Sequence, residues 1–333
     1  MMLNLHHIAF EITDQCNLDC VYCYNIWKMP DGKRVPFNSY KKAIATLDKI
    51  FAMADIRSVV LTGGEPFLSE RFAEVVLHCR MAGKTVTLIT NGTQGREKDY
   101  RQLIRLGVDL FELPIHAAQP EIHDAMAKVP GSWAKSTEAI AEIQRLGGAV
   151  VVITRHNVRQ LGETLDFITS LGCRRVMLNR YNIGGKGCAN PMDVSATAEE
   201  LRAAFAIANE KAKALDLYLT ANVCSPVCLL DPDDYPNIGF GHCSANVLHR
   251  PITLDINGNI RLCNHSPVVA GNIYEKPLQE ILYSEYSDSW ITAVPAFCKE
   301  CHHWSVCMGG CRAASEQVFG RIDREDPIIQ YTL

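Results

Sequence analysis

Residues 8–23 read IAFEITDQCNLDCVYC, an apolar run that ends in a loop with three cysteines. The apolar and β-branched residues predict a strand over residues 5–13, and Cys16, Cys20 and Cys23 follow it directly. Folds built on a parallel barrel place their active sites at the C-terminal ends of the strands. The spacing therefore predicts three thiols on one loop at the functional end of a sheet.

The first two thirds of the chain alternate short apolar runs with segments of helical period, which is typical of βα units around a parallel sheet. Gly107, Gly147 and Gly172 each follow a predicted helix, where a left-handed C-cap is expected. Six units are too few for a full TIM barrel, so an α/β fold with a partial (β/α)6 TIM-like barrel is predicted. The predicted strands are residues 5–13, 57–62, 85–90, 110–116, 149–154 and 175–181, and the predicted helices are residues 38–54, 70–81, 98–106, 132–146, 161–170 and 198–215.

The pattern changes near residue 222, where turn pairs, prolines and cysteines replace long helices. Two short strands around Asn257-Gly258 predict a hairpin within residues 251–263. We therefore divide the chain into a partial barrel, residues 1–221, and a small Cys-rich domain, residues 222–333.

Charge and composition exclude several classes of protein. The 333 residues carry 33 Lys and Arg against 37 Asp and Glu, a net charge of -4, so no nucleic-acid partner is expected. The apolar runs are too short to cross a bilayer and the start lacks a secretory pattern, which predicts a cytoplasmic protein without a membrane partner. Fourteen cysteines in such a chain indicate metal ligation rather than disulfides.

Three cysteines on the first loop favour one kind of metal site. A four-iron cluster held by three cysteines leaves one iron open to a small molecule. The alternative is a zinc site completed by His6 or His7, although closed zinc sites favour paired spacings.

The Cys-x3-Cys-x2-Cys spacing of Cys16, Cys20 and Cys23, with the aromatic Tyr22 before the last cysteine, resembles the signature of the radical S-adenosylmethionine (radical SAM) superfamily. Gly63-Gly64-Glu65-Pro66, at the end of the second predicted strand, is similar to the family's GGEP motif. The resemblance implies a [4Fe-4S] cluster on the three cysteines. It also implies that Gly63, Gly64, Glu65 and Pro66 hold SAM, with the Glu65 carboxylate pairing with the methionine ammonium group.

The resemblance implies further SAM contacts at the ends of other predicted strands. Asn91 follows the third strand, and Asn182 and Ile183 follow the sixth. The family's usual arginine after the fourth strand is replaced here, and Arg155 is a substitute for it. His116, at the end of the fourth strand, is expected to face the cavity and to contact substrate or transfer a proton.

The C-terminal cysteines resemble the SPASM extension of radical SAM enzymes, which carries one or two auxiliary iron-sulfur clusters. The family's downstream cysteine has no counterpart after Cys311; Cys224 or Cys228 replaces it, Asp323 or Asp326 does, or one iron stays open. A zinc ribbon is the alternative, although these spacings do not form paired knuckles. The resemblance assigns Cys298, Cys301 and Cys307 to one site and Cys243, Cys263 and Cys311 to the other.

The resemblance implies reductive cleavage of SAM to methionine and a 5′-deoxyadenosyl radical that abstracts hydrogen from a substrate. SPASM enzymes most often modify peptides, so a maturase of a ribosomally made peptide or of a protein side chain is favoured. The alternatives are an enzyme acting on a small metabolite such as a tetrapyrrole carboxylate, and a non-catalytic iron-sulfur electron carrier. The GGEP-like motif argues against the carrier.

The expected partners follow from this chemistry. An external one-electron reductant of the flavodoxin or ferredoxin type is implied. The first strand begins at about residue 5, which leaves no room for an N-terminal leader-binding domain, so a separate leader-peptide recognition protein or a small-molecule substrate is considered. Asn264-His265 follows Cys263 where sulfatase-maturing relatives have an aspartate, which argues against that activity.

Overall fold

The computed structural model describes residues 3–29, 37–244 and 246–332. Its strands are β1 (Leu3–Thr13), β2 (Ala54–Gly63), β3 (Thr85–Ile89), β4 (Leu110–Pro114), β5 (Gly147–Ile153), β6 (Arg175–Arg180), β7 (Tyr218–Ala221), β8 (Ile238–Phe240), β9 (Thr253–Asp255), β10 (Asn259–Arg261) and β11 (Gly271–Asn272). They form one eleven-stranded sheet in the order β11-β10-β9-β1-β2-β3-β4-β5-β6-β7-β8.

The helices connect the strands and cover the sheet. They are α1 (Tyr40–Met53), α2 (Phe72–Met81), α3 (Glu97–Leu106), α4 (Pro120–Ala127), α5 (Ser132–Ile143), α6 (Leu161–Ser170), α7 (Ala198–Ala214), α8 (Leu278–Leu282), α9 (Glu285–Thr292), α10 (Trp304–Cys307), α11 (Arg312–Phe319) and α12 (Ile328–Thr332). Within the described ranges, no helix combines the length and the apolar character that crossing a membrane requires.

The sheet confirms the predicted α/β fold and enlarges it. Neighbouring strands from β9 through β1 to β8 pair in parallel, and β9, β10 and β11 pair antiparallel. All six predicted strands are present, but β7, β8 and β9 extend the parallel part beyond six. β7 and β8 contain only four and three residues, too few to show a period in sequence, and β9 is the first strand of the predicted hairpin.

Most of the predicted helices and caps are confirmed. Gly107 and Gly172 follow α3 and α6 with φ of 93° and 83°. The expectation for Gly147 was wrong, because a short 3-10 turn leads directly into β5 and Gly147 is the first residue of that strand. The eight-residue helix α4 was not predicted from sequence.

Local side-chain contacts explain where two elements begin and turn. Thr197 and Glu200 form a capping box at the start of α7, each side chain accepting the other's backbone N–H. Asp255 accepts the N–H of Asn257 at 2.8 Å, and Gly258 has φ of 86°, which closes the predicted hairpin between β9 and β10.

The sheet runs without a break across the predicted boundary at residue 222. β8 pairs with β7, and β9 pairs with β1, with Ala9 opposite Thr253. The buried carboxylate of Glu11 on β1 also pairs with Arg261 on β10. Within the described part of the chain, no gap in the fold therefore separates residues 1–221 from residues 222–333. We keep this division as a proposal about function.

Candidate functional site

Cys16, Cys20 and Cys23 lie on the loop that follows β1, at the C-terminal end of the parallel sheet. Burial, together with negative charge on Cys23 and Cys16, raises the pKa of Cys20 to about 12. Burial likewise raises the pKa of Cys23 to about 11. The three thiols are therefore near one another on the loop, and a metal that binds them displaces their protons.

The donor set fits a cluster better than a single ion. Among the described residues, no group of three His, Cys, Asp or Glu side chains converges as ligands of one ion. A four-iron cluster has a different requirement, because each thiolate ligates a different iron. Three sulfur donors on one loop match the soft ligands that iron-sulfur clusters use.

The Gly63-Gly64 segment packs directly against the cysteine loop. The Gly64 N–H donates to Thr13 O and the Glu65 N–H donates to Gln15 O, both at 2.7 Å. A Cβ would lie 2.2 Å from Thr13 O at Gly63 and 2.1 Å from Gln15 O at Gly64. The two glycines are therefore required for contact between backbones at the end of β1 and the end of β2.

The Glu65 carboxylate is fully buried and joins two strand ends. Oε1 accepts the Phe67 N–H at 3.1 Å and the Thr90 hydroxyl at 2.7 Å, and Oε2 accepts the Asn91 N–H at 2.7 Å. Burial raises the pKa of Glu65 to about 7, and these hydrogen bonds oppose the rise. The carboxylate thus accepts from three protein donors, and its contact with a bound ammonium group stays a prediction. Pro66 is buried at the start of the 3-10 turn Pro66–Leu68.

Asn91 lies between the GGEP-like segment and the cysteine loop. Its amide Nδ2 donates to Asn17 Oδ1 at 2.9 Å and lies 3.9 Å from Cys16 Sγ. Glu65 holds the Asn91 backbone, so β2, β3 and the loop are positioned together. Of the sequence-predicted SAM residues, Asn91 is one that the structure brings to the cysteines.

His116 is buried behind the cysteine loop instead of facing an open cavity. It is 1% exposed, and burial holds its pKa well below the ordinary value. Nδ1 accepts the Val152 N–H at 3.2 Å, so Nε2 carries the proton and donates to the Tyr22 hydroxyl at 2.6 Å. The Tyr22 hydroxyl hydrogen-bonds to Cys20. These contacts support a positioning role and not contact with substrate.

The remaining predicted SAM residues lie elsewhere. The Arg155 guanidinium donates to Met192 O at 3.0 Å on the rim of a surface cavity of about 460 Å³. Asn182 Nδ2 lies 3.2 Å from Cys311 Sγ, so Asn182 contacts a C-terminal cysteine. Ile183 is fully buried in the core. The structure therefore gives Arg155 and Asn182 contacts other than those we expected.

One group of C-terminal cysteines, the inner group, consists of Cys224, Cys243, Cys263 and Cys311. Cys224 donates a hydrogen bond to Cys243, which raises the pKa of Cys224 and lowers that of Cys243. Burial, together with negative charge on Cys311 and Cys243, raises the pKa of Cys263 to about 12. The inner group thus contains the three cysteines assigned together from sequence, with Cys224 as a fourth.

A second group, the outer group, consists of Cys228, Cys298, Cys301 and Cys307. Burial, together with negative charge on Cys307, Cys301 and Cys228, raises the pKa of Cys298 to about 11. Charge on Cys307 and Cys301 also raises the pKa of Cys228. Cys224 and Cys228 therefore separate, one joining each group.

The two aspartates considered as ligands have other partners. Asp326 is buried, pairs with Arg180 and accepts the Cys311 N–H at 2.7 Å. Asp323 forms an ion pair with Arg321 at the surface. Because both carboxylates are already engaged, neither is left to complete a cysteine group.

Sequence reasoning missed the residues that join the cysteine loop to the C-terminal region. The Tyr24 ring stacks on His265 with a centroid distance of 3.8 Å, and Asn264 donates to its hydroxyl at 2.9 Å. Gln317 donates to Tyr24 O at 3.2 Å and accepts the Gly185 N–H at 2.7 Å. No sequence motif includes Gln317. The only sequence signal for Tyr24, Asn264 and His265 is that each lies within two residues of a cysteine.

The profile of the radical SAM superfamily matches residues 10–168, which include the cysteine loop and the GGEP-like segment. The SPASM profile, an iron-sulfur cluster-binding domain, matches residues 243–303. The chain belongs to the radical SAM superfamily and carries a C-terminal SPASM domain. Its cofactors are accordingly SAM and [4Fe-4S] clusters.

Two curated relatives of this radical SAM protein are called PqqA peptide cyclase. The protein of Methylocella silvestris is 24% identical, over 98% of this chain and 88% of its own length. The protein of Xanthomonas campestris pv. campestris is 23% identical, over 97% of this chain and 86% of its own length.

Solved structures share the fold of this radical SAM protein. Streptococcus suis SuiB bound to precursor peptide SuiA has a TM-score of 0.74 at 15% identity, covering 98% of this chain and 75% of SuiB. Native anSMEcpe with bound AdoMet and Cp18Cys peptide has a TM-score of 0.73 at 16% identity, covering 98% of this chain and 94% of that one. At these identities the likeness concerns the fold.

Proposed function

We propose that this enzyme cleaves SAM reductively and uses the resulting radical to modify a ribosomally made peptide. The relatives named PqqA peptide cyclase and the fold shared with SuiB, solved with its precursor peptide, support the peptide as substrate. The observation that carries the chemistry is the contact between the Cys16, Cys20 and Cys23 loop and the Gly64-Glu65 backbone, whose N–H groups donate to Thr13 O and Gln15 O at 2.7 Å.

Cys16, Cys20 and Cys23 hold the cluster that reduces SAM in this proposal. When bound, that cluster supplies the electron that splits SAM into methionine and a 5′-deoxyadenosyl radical. Gly63 and Gly64 bring the motif against the loop, and Glu65 positions Asn91 beside Cys16. Tyr22 and His116 hold Cys20 from the other side.

The inner and outer groups each hold an auxiliary cluster in this proposal, with Cys224 and Cys228 as the fourth ligands. Four thiols in each group match the four-cysteine ligation of iron-sulfur clusters. Asn182 contributes a hydrogen bond to Cys311 of the inner group.

The proposed partners are a flavodoxin or ferredoxin type reductant and a separate leader-peptide recognition protein, and the proposed location is the cytoplasm. The free cysteines are consistent with a reducing compartment. We include the recognition protein by analogy with SPASM enzymes that act on peptides.

The experiment is anaerobic reconstitution followed by turnover with dithionite, SAM and short peptides encoded next to this gene. We expect about twelve irons per chain, from roughly four at each of three sites. We also expect 5′-deoxyadenosine and a changed peptide mass. The triple variant Cys16→Ala, Cys20→Ala, Cys23→Ala should keep the C-terminal iron and make no 5′-deoxyadenosine.

Other outcomes separate the alternatives. Stoichiometric zinc with little iron would contradict the cluster assignment. Formation of 5′-deoxyadenosine that is stimulated by a tetrapyrrole carboxylate, with every peptide unchanged, would contradict the peptide substrate. Full iron content without SAM cleavage would support an electron carrier.

A further inference from the structure

Arg312 is a buried cation whose guanidinium has no hydrogen-bond partner among the residues that the structure describes. It is the first residue of α11, directly after Cys311, and is 2% exposed. Nε, Nη1 and Nη2 all lack a partner there. A guanidinium presents five N–H donors, and an uncompensated buried charge destabilises a protein strongly.

The surroundings of Arg312 contain cysteines of both groups. Negative charge on Cys243, of the inner group, and on Cys298, of the outer group, favours the charged form of Arg312, whereas burial lowers its pKa. The Trp304 ring covers one face of the guanidinium, with its centroid 5.5 Å away. The cation therefore lies within electrostatic range of an inner-group and an outer-group cysteine, and its N–H donors have no partner among the described residues.

Arg250 provides a second positive charge beside the inner group. Its Nε donates to Ser244 O at 2.7 Å, and its guanidinium lies 5.4 Å from the centroid of the Trp290 ring. Burial lowers the pKa of Arg250, and negative charge on Cys243 and Cys263 opposes this shift. The positive charge of Arg250 lowers the pKa of Arg312 further, so a charged Arg312 requires compensating negative charge nearby.

An iron-sulfur cluster with four thiolate ligands supplies such an anion, because the thiolate charge exceeds the charge of the iron-sulfide core. Its sulfur atoms accept hydrogen bonds, and both these bonds and nearby charge set the reduction potential. Adding an electron makes the cluster more negative, so a neighbouring cation favours the reduced form.

We propose that Arg312 is a shared counterion of the two auxiliary clusters, donating N–H bonds to their sulfur atoms and holding both reduction potentials high. This inference rests on the proposed function, because it requires that the inner and outer groups bind clusters. The competing interpretation is that Arg312 only fills space against Trp304, in which case its charge has no effect on either cluster.

The test compares Arg312→Met, which has a similar length and no charge, with Arg312→Lys, which keeps the charge. Arg321→Met is the matched control, because Arg321 follows the same helix at the surface with a 63% exposed side chain and solvent screens its charge. Iron and sulfide content are measured first. The potentials then come from anaerobic redox titrations followed by electron paramagnetic resonance.

We expect Arg312→Met to lower the ratio of reduced to oxidised auxiliary cluster at fixed applied potential by about tenfold. This corresponds to a shift of about 59 mV for one electron. Arg312→Lys should recover most of the shift. Arg321→Met and the cluster on Cys16, Cys20 and Cys23 should remain unchanged.

Full iron content in Arg312→Met with unchanged auxiliary potentials would overturn the inference. If Arg312→Met loses the auxiliary iron, Arg312→Lys decides: retained clusters support the counterion, and lost clusters overturn it. Wild-type protein without auxiliary iron would instead contradict the proposed function, a result that is visible before any variant is made.

Discussion

The Nε2 nitrogen of His116 lies 2.6 Å from the hydroxyl oxygen of Tyr22, and the two rings meet edge to face with centroids 4.6 Å apart. Because Nδ1 of His116 accepts the Val152 N–H, the direction of this hydrogen bond is determined: histidine donates and tyrosine accepts. Tyr22 is then free to donate to Cys20. A buried imidazole at the end of β4 thereby orients a cysteine thiol on the loop after β1.

Removing the Tyr22 hydroxyl should destabilise the protein. Tyr22→Phe leaves the buried Nε2–H of His116 without an acceptor, which costs about 1 to 3 kcal/mol. Thermal unfolding of the cluster-loaded protein under anaerobic conditions measures the effect. In Tyr22→Phe combined with His116→Leu, the loss should be smaller than the sum of the single losses. Tyr218→Phe, at a 68% exposed ring, is the control; strictly additive losses would contradict the pairing.

Glu65→Gln should destabilise the fold and weaken SAM binding as a consequence. The carboxylate accepts three protein hydrogen bonds, whereas glutamine must turn an NH2 group towards at least one N–H or O–H donor. The expected cost is about 1 to 3 kcal/mol. Glu70→Gln, at an exposed carboxylate five residues further along the same connection between β2 and α2, is the control and should change little.

Unfolding and SAM titration should be measured on the same Glu65→Gln preparation. Unchanged stability with reduced SAM affinity would show that Glu65 contacts the ammonium group directly, as the motif resemblance implies. Loss of both would agree with the buried network.

His123 should make the protein less stable in acid. Burial lowers the pKa of His123 to about 4 from an ordinary value of 6.5, so between these values the unfolded state binds more protons than the folded state. The contribution of neutral His123 to the free energy of unfolding is complete above pH 6.5 and is lost as the pH falls towards 4. The shift corresponds to at most about 3 kcal/mol.

His123→Asn should remove this pH dependence, because an amide oxygen can replace Nδ1 as acceptor of the His116 N–H without titrating. Urea unfolding at about pH 7.5 and about pH 5 measures the difference between wild type and variant. Similar stability at the higher pH and a relative gain at the lower pH are expected. An equal acid loss in both proteins would exclude His123 as the cause.

Cys224→Ser and Cys228→Ser should each remove one auxiliary cluster, about four irons per chain. Cys224→Ser should affect the inner group and Cys228→Ser the outer group, which electron paramagnetic resonance can distinguish. Cys188→Ser, outside both groups, and Asp323→Asn should keep all iron. Iron lost from Asp323→Asn, with both cysteine variants fully loaded, would favour the aspartate.

Features confined to one loop or one strand end could be predicted from sequence. The spacing of Cys16, Cys20 and Cys23 indicates their chemistry. Gly64 follows a strand whose end could be predicted from the point where its apolar run stops. Side-chain direction between elements could not be predicted. Asn182 contacts Cys311, 129 positions away, because the loop after β6 packs against α11, and no local pattern encodes that contact.

The separation of Cys224 from Cys228 illustrates the same difficulty. A short spacing suggests a shared metal, yet the two cysteines join different groups because the backbone between them is held by arginines of other elements. Arg180 donates to the Cys224 carbonyl at 2.6 Å, and Arg202 donates to the Cys228 carbonyl at 2.9 Å. The partners of a cysteine pair therefore depend on tertiary contacts as well as on spacing.

The pairing of β8 with β7 and of β9 with β1 has a consequence for attempts to produce the barrel alone. Truncation after residue 221 would strip both neighbours and leave β1 and β7 as open edges. Unpaired N–H and C=O groups on an open edge recruit strands from other molecules. Because Ile8, Phe10 and Ile12 of β1 are almost fully buried, the exposed edge would also be apolar. We therefore expect a shortened chain to self-associate. If such a chain did not cleave SAM, the result would not show whether the auxiliary clusters are required.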